Sequence, residues 1–207
     1  NHKLVIVDNF SNSSPLALER AKQLSKINNI TEDIFSVEEG DVRDEQFLNT
    51  VFQEYILKNE PIDAVIHFAG LKSVKESVIK PNFYWDVNVN GTLTLLKVMQ
   101  KNNCKVIVFS SSATIYGSPE RIPIPEEANI KPLNPYGNTK ATIEIFLSDI
   151  AGCSNSNSII ARSNNGWRIA CLRYFNPVGA HPSGIIGEDP KGIPNNLFPY
   201  INKVAIG

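Results

Sequence analysis

Short apolar runs alternate along the chain with stretches whose apolar residues recur every three or four positions. The runs KLVIVD (3–8), DAVIHFAG (63–70), KVIVFSSS (105–112) and RIACLRYF (168–175) are apolar on both faces, as strands of a parallel sheet covered by helices must be. A weaker strand is expected near 34–39, just before GDVRD. Helix signals lie between these runs. Ser14 and Pro15 supply an N-cap and a proline for the first helical position, with Leu16, Leu24 and Ile27 as the apolar stripe. Phe47, Val51 and Tyr55 recur at four-residue spacing, and Phe83, Val87, Leu95 and Met99 do much the same within 82–102. Asn134 and Pro135 open a further helix reaching about residue 150. This order, βαβαβαβα, predicts an α/β fold with a doubly wound parallel sheet.

Two segments depart from that alternation. GCSNSNSIIARSNNG (152–166) is rich in Ser, Asn and Gly and reads as a long polar surface loop between a helix and a strand. After Phe175 the chain becomes dense in Gly and Pro, as in NPVGAHPSGIIGEDPKGIPNN, which predicts a folded-back loop region rather than another βα unit. A boundary near residue 177 follows, dividing an α/β domain over 1–176 from the start of a second domain over 177–207.

The composition narrows the classes. With 42% hydrophobic residues in 207 the chain can fill a core, and a net charge of −1 gives no general attraction for nucleic acid or an anionic membrane. No apolar run approaches the roughly 18 residues of a membrane span. Three cysteines, Cys104, Cys153 and Cys171, lack metal-type spacing and suit a reducing cytoplasm. His2 and His181 form no cluster with Cys or carboxylates, so no metal site is expected, and His67, inside a strand, reads as a hydrogen-bonded core histidine.

Candidate chemistry gathers at two places. In NPYGNTK (134–140) a helix starting at Pro135 sets Tyr136 and Lys140 at i and i+4 on one face. Upstream, VFSSSATIYG places Ser110, Ser111 and Ser112 at the carboxyl end of a strand, the edge at which open α/β sheets bind ligands. A tyrosine working as a base near neutrality needs its pKa lowered by about 3 units, roughly 4 kcal/mol. One ammonium at about 4 Å supplies roughly that at an effective dielectric of about 20. The other place is the strand ending at Asp8. In a dinucleotide-binding fold such an acid holds the adenosine ribose, about 20 residues after a glycine-rich loop. No such loop precedes Asp8, so a first strand, glycine loop and helix of roughly 25 to 30 residues are expected to be absent.

VDNFSNSS, VIHFAGLKSVKESV, VFSSSATIYG, NPYGNTK and LRYFNPVGAHPSGIIGEDPKGIPNNL together resemble UDP-galactose 4-epimerases, extended short-chain dehydrogenase/reductases. The likeness runs over nearly the whole chain except 152–166, and the 172–197 stretch is the most specific part. It implies a Rossmann-like fold, a tightly held NAD, and reversible hydride transfer through a 4-keto sugar that interconverts UDP-galactose and UDP-glucose. By the resemblance Tyr136 takes the 4-hydroxyl proton, Lys140 lowers the tyrosine pKa and contacts the nicotinamide ribose, and Ser112 is the catalytic serine. Asp8, Asn9, Phe10, Ser11, Asn12 and Ser13 resemble the adenosine-ribose and phosphate segment, and Asp41 and Val42 the pair beside adenine. Phe68, Ala69, Gly70, Leu71 and Lys72 resemble the strand end lining the cofactor, with Asn88 and Phe175 as further cofactor contacts. Asn176, Asn196 and Leu197 resemble positions that hold the UDP-sugar, alongside Ser112 and Tyr136.

Plainer readings stand beside these. Asp41 could cap the helix that follows, Lys72 could be a solvated charge, and Phe83 and Trp85 are expected to pack, on a helix that in this family also helps form a homodimer. A nucleotide-sugar 4,6-dehydratase shares the scaffold but carries an acidic pair directly after the Ser or Thr of the triad. Here that place reads Ala113-Thr114, which argues against dehydration. A catalytically silent nucleotide-binding fragment is the third reading.

Overall fold

The structure is a computed structural model describing residues 2–27, 35–152, 160–162, 165–188, 194 and 196–207. In chain order the elements are β1 (Leu4–Asp8), α1 (Pro15–Ile27), β2 (Phe35–Glu39), α2 (Glu45–Leu57), β3 (Val65–His67), α3 (Val74–Ile79) and α4 (Pro81–Tyr84). A π-helical turn (Trp85–Asn90), α5 (Gly91–Lys101), β4 (Val106–Ser112) and a 3₁₀ turn (Ala113–Tyr116) follow. The chain ends with α6 (Pro135–Ala151), β5 (Ile160–Arg162), β6 (Arg168–Tyr174) and α7 (Leu197–Ile206). Two units result, Asp41–Phe175 and one made of Asn1–Gly40 with Asn176–Gly207.

In the smaller unit β1 and β2 pair in parallel, from Leu4 opposite Phe35 to Asp8 opposite Glu39. Pro15 stands at the first position of α1, as expected; of the anticipated stripe Leu16 is exposed and Leu24 buried. Both loops of the larger unit that matter below leave a sheet ordered β3-β4-β6-β5. The first three strands are parallel, and β5 adds antiparallel to β6 at the edge. A classic doubly wound sheet runs 3-2-1-4-5-6. Within the larger unit β3-β4-β6 follows the 4-5-6 part of that order, and β1-β2 forms a two-stranded sheet of its own in the smaller unit.

Core packing follows the periodicity where apolar residues face the sheet. Val51 and Tyr55 of α2, Leu95 and Met99 of α5, Ile107 and Phe109 of β4, and Ile143 and Leu147 of α6 are all buried. Three expectations change. The helix anticipated over 82–102 runs without a gap from Pro81 at its first position to Lys101, but it widens into a π turn over Trp85–Asn90. Phe83 and Trp85, expected to pack, are exposed. The loop expected over 152–166 contains β5, while residues 153–159 and 163–164, Cys153 among them, lie outside the described residues. The segment after Phe175 has no helix or strand in its described part until α7.

Candidate active site

Local sequence chemistry sets the first two side chains. Ser112 ends β4 and caps the 3₁₀ turn, its Oγ accepting from the Thr114 amide at 3.2 Å and donating to Thr114 Oγ1 at 2.9 Å. Asn134 caps α6, accepting from the Gly137 amide at 2.8 Å, so the helix begins at Pro135 and Tyr136 lies in its first turn. Gly137 lets that turn come close. A Cβ there would stand 3.2 Å from both Cγ2 and the carbonyl oxygen of Thr114, two residues past Ser112. Ser112, Tyr136 and Lys140 are all buried. Lys140 Nζ donates to the Ser110 carbonyl at 2.8 Å and lies 4.8 Å from the centre of the Phe109 ring and 6.0 Å from that of Tyr136.

Burial dominates the electrostatics. It lowers Lys140 to about 8 and raises Tyr136 above its ordinary value, with the Ser112 hydroxyl pulling the other way. The ammonium is directed at the Ser110 carbonyl rather than at the phenol, and both groups have lost water, so burial sets the direction of each shift.

The loop after β3 meets this pair. His67 is buried and shares a 2.9 Å hydrogen bond with Thr92 Oγ1, and burial pushes it down to about 3, so it is a neutral core residue as expected. Phe68, Ala69 and Lys72 are exposed. Gly70 has φ +149°, and a Cβ on it would lie 3.0 Å from Asn88 Oδ1 and 3.9 Å from Lys140 Nζ. Asn88, in the π turn, holds both backbone groups of Leu71. Its Oδ1 accepts from the Leu71 amide at 2.7 Å, and its Nδ2 donates to the Leu71 carbonyl at 3.0 Å and to Thr139 Oγ1 at 3.1 Å. Phe175 follows β6 directly and is exposed, and Tyr174 pairs with Ser112 across the sheet. The structure thus brings Gly70, Asn88, Ser112, Tyr136 and Lys140 together at the carboxyl ends of β3 and β4.

The remaining predicted residues form separate groups. Asp8 Oδ1 accepts from the Phe10 amide and from Ser13 Oγ, each at 2.7 Å, and closes a turn in which Phe10 has φ 50°. Within it Asn9 Oδ1 accepts from the amide and hydroxyl of Ser11, and Asn12 is exposed. Asp41 does not cap α2, since Asp44 does. Asp41 instead takes three hydrogen bonds from Arg43, whose Nη1 reaches Asp86 at 2.6 Å. Val42 sits where a side chain on Gly91 would, 2.7 Å from that Cβ position. Asn176 is exposed, Asn196 donates to Glu188 Oε1 at 3.1 Å, and Leu197 opens α7 exposed to solvent. Sequence reasoning missed the buried Glu144–Arg173 pair. Its signal was available, because Glu144 continues the four-residue spacing of Tyr136 and Lys140 and a carboxylate on a buried face requires a partner. Among the described residues there is no cluster of His, Cys and carboxylates that could hold a metal, and no helix long and apolar enough to cross a membrane.

Comparison with known proteins agrees with this geometry. Residues 1–167 match the sequence model of the family described as GDP-mannose 4,6 dehydratase. UDP-glucose 4-epimerase 2 of Arabidopsis thaliana is 49% identical over 206 residues, which is 100% of this chain and 54% of that protein. The bifunctional UDP-glucose 4-epimerase and UDP-xylose 4-epimerase 1 of Pisum sativum is 49% identical over 203 residues, 98% of this chain and 53% of that one. A crystal structure of UDP-glucose 4-epimerase from Bifidobacterium longum, in complex with NAD+ and UDP, superimposes with a TM-score of 0.82 at 48% identity, covering 99% of this chain and 55% of that chain. The chain spans about half the length of the curated relatives it matches. With Ser, Tyr and Lys gathered at the carboxyl edge of a parallel sheet and a family match across most of its length, the chain belongs to this epimerase and dehydratase family of extended short-chain dehydrogenase/reductases, and its likeness there is to the UDP-glucose 4-epimerases.

Proposed function

We propose that the chain carries the cofactor-binding and acid–base part of an NAD-dependent UDP-hexose 4-epimerase that interconverts UDP-galactose and UDP-glucose. The observation that carries this reading is the meeting of Ser112, Tyr136 and Lys140 beside the bare backbone of Gly70. Gly70 lets the Asn88 amide and the Lys140 ammonium come close to the loop after β3, and an ammonium and two hydroxyls gathered at that sheet edge suit a ribose and a sugar hydroxyl, so the residues fit NAD. When bound, NAD supplies reversible hydride acceptance at C4 of the sugar. Tyr136 Oη accepts the proton of the 4-hydroxyl and later returns it. Ser112 Oγ, beside the phenol, holds the sugar hydroxyl by a shared hydrogen bond. Lys140 holds the cofactor ribose and contributes positive charge. Phe68, Ala69, Leu71, Lys72 and Phe175 line the cofactor, Asp8 to Ser13 take its adenosine ribose and phosphates, and Asp41 and Val42 its adenine. Asn176, Asn196 and Leu197 bind the UDP-sugar, residues 1–176 forming the NAD domain and 177–207 beginning the sugar domain.

Dehydration on the same scaffold is disfavoured by Ala113-Thr114, because neither can serve as the acid of an elimination. Self-association as a homodimer is supported by the exposed Phe83, Trp85 and Leu93 along one helical stretch. Cytoplasmic residence is supported by the free, buried thiols of Cys104 and Cys171.

The test is conversion of UDP-galactose to UDP-glucose by the protein with all the flanking residues its gene encodes, first without added NAD and then with it. Tyr136→Phe should lower kcat by about 10²- to 10⁴-fold, the usual worth of a positioned acid–base group, with NAD content retained. Full activity in that variant refutes the role of Tyr136. Absence of product and of NAD affinity in the wild type would leave a silent nucleotide-binding protein.

A further inference from the structure

One helical turn beyond Lys140 lies a charged pair that the proposed reaction does not use. The Glu144 and Arg173 side chains are 2% and 3% exposed, with Nη2 to Oε2 at 2.7 Å. Arg173 Nε reaches both carboxylate oxygens, at 3.1 and 3.2 Å. Ser111 Oγ donates to Glu144 Oε1. The far end of the guanidinium donates to Tyr116 Oη at 2.8 Å and to the Glu126 carbonyl at 2.7 Å. Burial alone would lower the Arg173 pKa, and the hydrogen bond to Glu144 reverses that and holds it raised. The cluster ties α6 to β4, to β6 and to the 3₁₀ turn. Two of its ends flank the proposed catalytic serine, since Ser111 precedes Ser112 and Tyr116 closes the turn that Ser112 caps.

Stability is a poor reason for such a pair. Desolvation largely offsets the attraction between buried charges, and apolar residues of similar volume often do as well or better. What the pair has and apolar packing lacks is direction. Several hydrogen bonds to one carboxylate fix where α6 stops along β4, whereas a methyl stripe tolerates sliding. Tyr136, Lys140 and Glu144 share one face of α6, so any slide at Glu144 is passed to the phenol.

We propose that Glu144 and Arg173, with Ser111, are positioning residues that set the register of α6 against the carboxyl end of β4 and thereby the Ser112–Tyr136 geometry needed for proton transfer. The inference rests on the epimerase reading above for its kinetic arm only. The first variant is Ser111→Ala in the full-length protein, which keeps both charges. The second is Glu144→Met/Arg173→Met, which removes both charges together, so that neither is left buried alone. Misplacement by about 1 Å lowers turnover by roughly 10²-fold. A roughly tenfold lower kcat is therefore expected for Ser111→Ala, and a larger loss for the double variant, with KM for UDP-galactose little changed. The ascending limb of kcat/KM against pH should move to higher pH, because the Ser112 contact that lowers the Tyr136 pKa is loosened.

A purely structural role would lower the melting temperature without moving that limb. The independent readout is the tyrosinate absorbance of each protein minus that of its Tyr136→Phe counterpart, which should titrate later in both variants than in wild type. Wild-type kcat together with an unshifted Tyr136 titration would overturn the inference. If the wild type forms no UDP-glucose, the epimerase reading falls, and the titration alone decides this one.

Discussion

Replacing Asn88 by Ala removes one side chain from the π turn and should release the loop after β3. The side chain is buried and makes three hydrogen bonds, two of them to the backbone of Leu71 and one to Thr139. Each is worth about 1 kcal/mol net, and a buried group left unpaired costs about 1–3 kcal/mol. Leu71 is half-buried, so water can replace part of what is lost, and the expected destabilisation is about 3 kcal/mol. At roughly 2–4 °C per kcal/mol for a protein of this size, the melting temperature should fall by about 6–12 °C. Urea denaturation gives the free energy, and hydrogen exchange at the Leu71 amide gives the location. That amide should lose protection beyond the global change, and retained NAD should fall with it. A Leu71 amide as protected as in wild type, or a loss under about 0.5 kcal/mol, would refute the argument that Asn88 holds this loop.

Two further predictions concern buried bases. Lys140 has its pKa lowered from 10.5 to about 8, so between those values the unfolded chain binds a proton the folded one has released, and stability should climb as pH rises through that window. Below it the buried ammonium costs up to about 3 kcal/mol, so Lys140→Met should be more stable than wild type at pH 7, lose the climb, and be inactive; urea midpoints at neutral and alkaline pH decide. His67 has its pKa lowered from 6.5 to about 3, so its contribution is complete above 6.5 and is lost as pH falls toward 3, because only the unfolded chain takes up the proton. The loss is up to about 1.4 kcal/mol per pH unit, and His67→Gln should flatten it; an unchanged acid slope would assign it to carboxylates instead.

How much of this was legible in the sequence depended on the distance over which each feature is decided. The strands and the start of α6 are local. Two-sided apolar runs and an Asn-Pro cap can be read without knowing what lies opposite, and they appear within a few residues of their expected places. The Tyr136–Lys140 face is local too, since helix geometry alone sets it. The π turn within the helical stretch over 82–102 is not. That turn carries Asn88 to Leu71, 17 residues away, and periodicity has no term for such a bond. Glu144 needed Arg173, 29 residues on. Phe83 and Trp85 fit an apolar stripe as well as any core residue, and only the tertiary arrangement leaves them exposed.

The acid–base pair shows the same division in its energetics. Sequence spacing supplied the partners, and a separation of about 4 Å made Lys140 sufficient to activate Tyr136. In the structure the ammonium is 6.0 Å from the phenol ring and bonded to Ser110, and desolvation acts on both groups toward their neutral forms. Burial thus favours the protonated phenol and weakens the hold of the amine on its proton. Proton abstraction needs further positive charge beside Tyr136, and one such charge within about 4 Å is worth roughly 4 kcal/mol at an effective dielectric of about 20. On the proposed epimerase reading, an oxidised nicotinamide held beside Tyr136 would supply that charge and a reduced one would not. Tyr136 would then act as a base before hydride leaves the sugar and as an acid after it, the proton following the hydride in each direction.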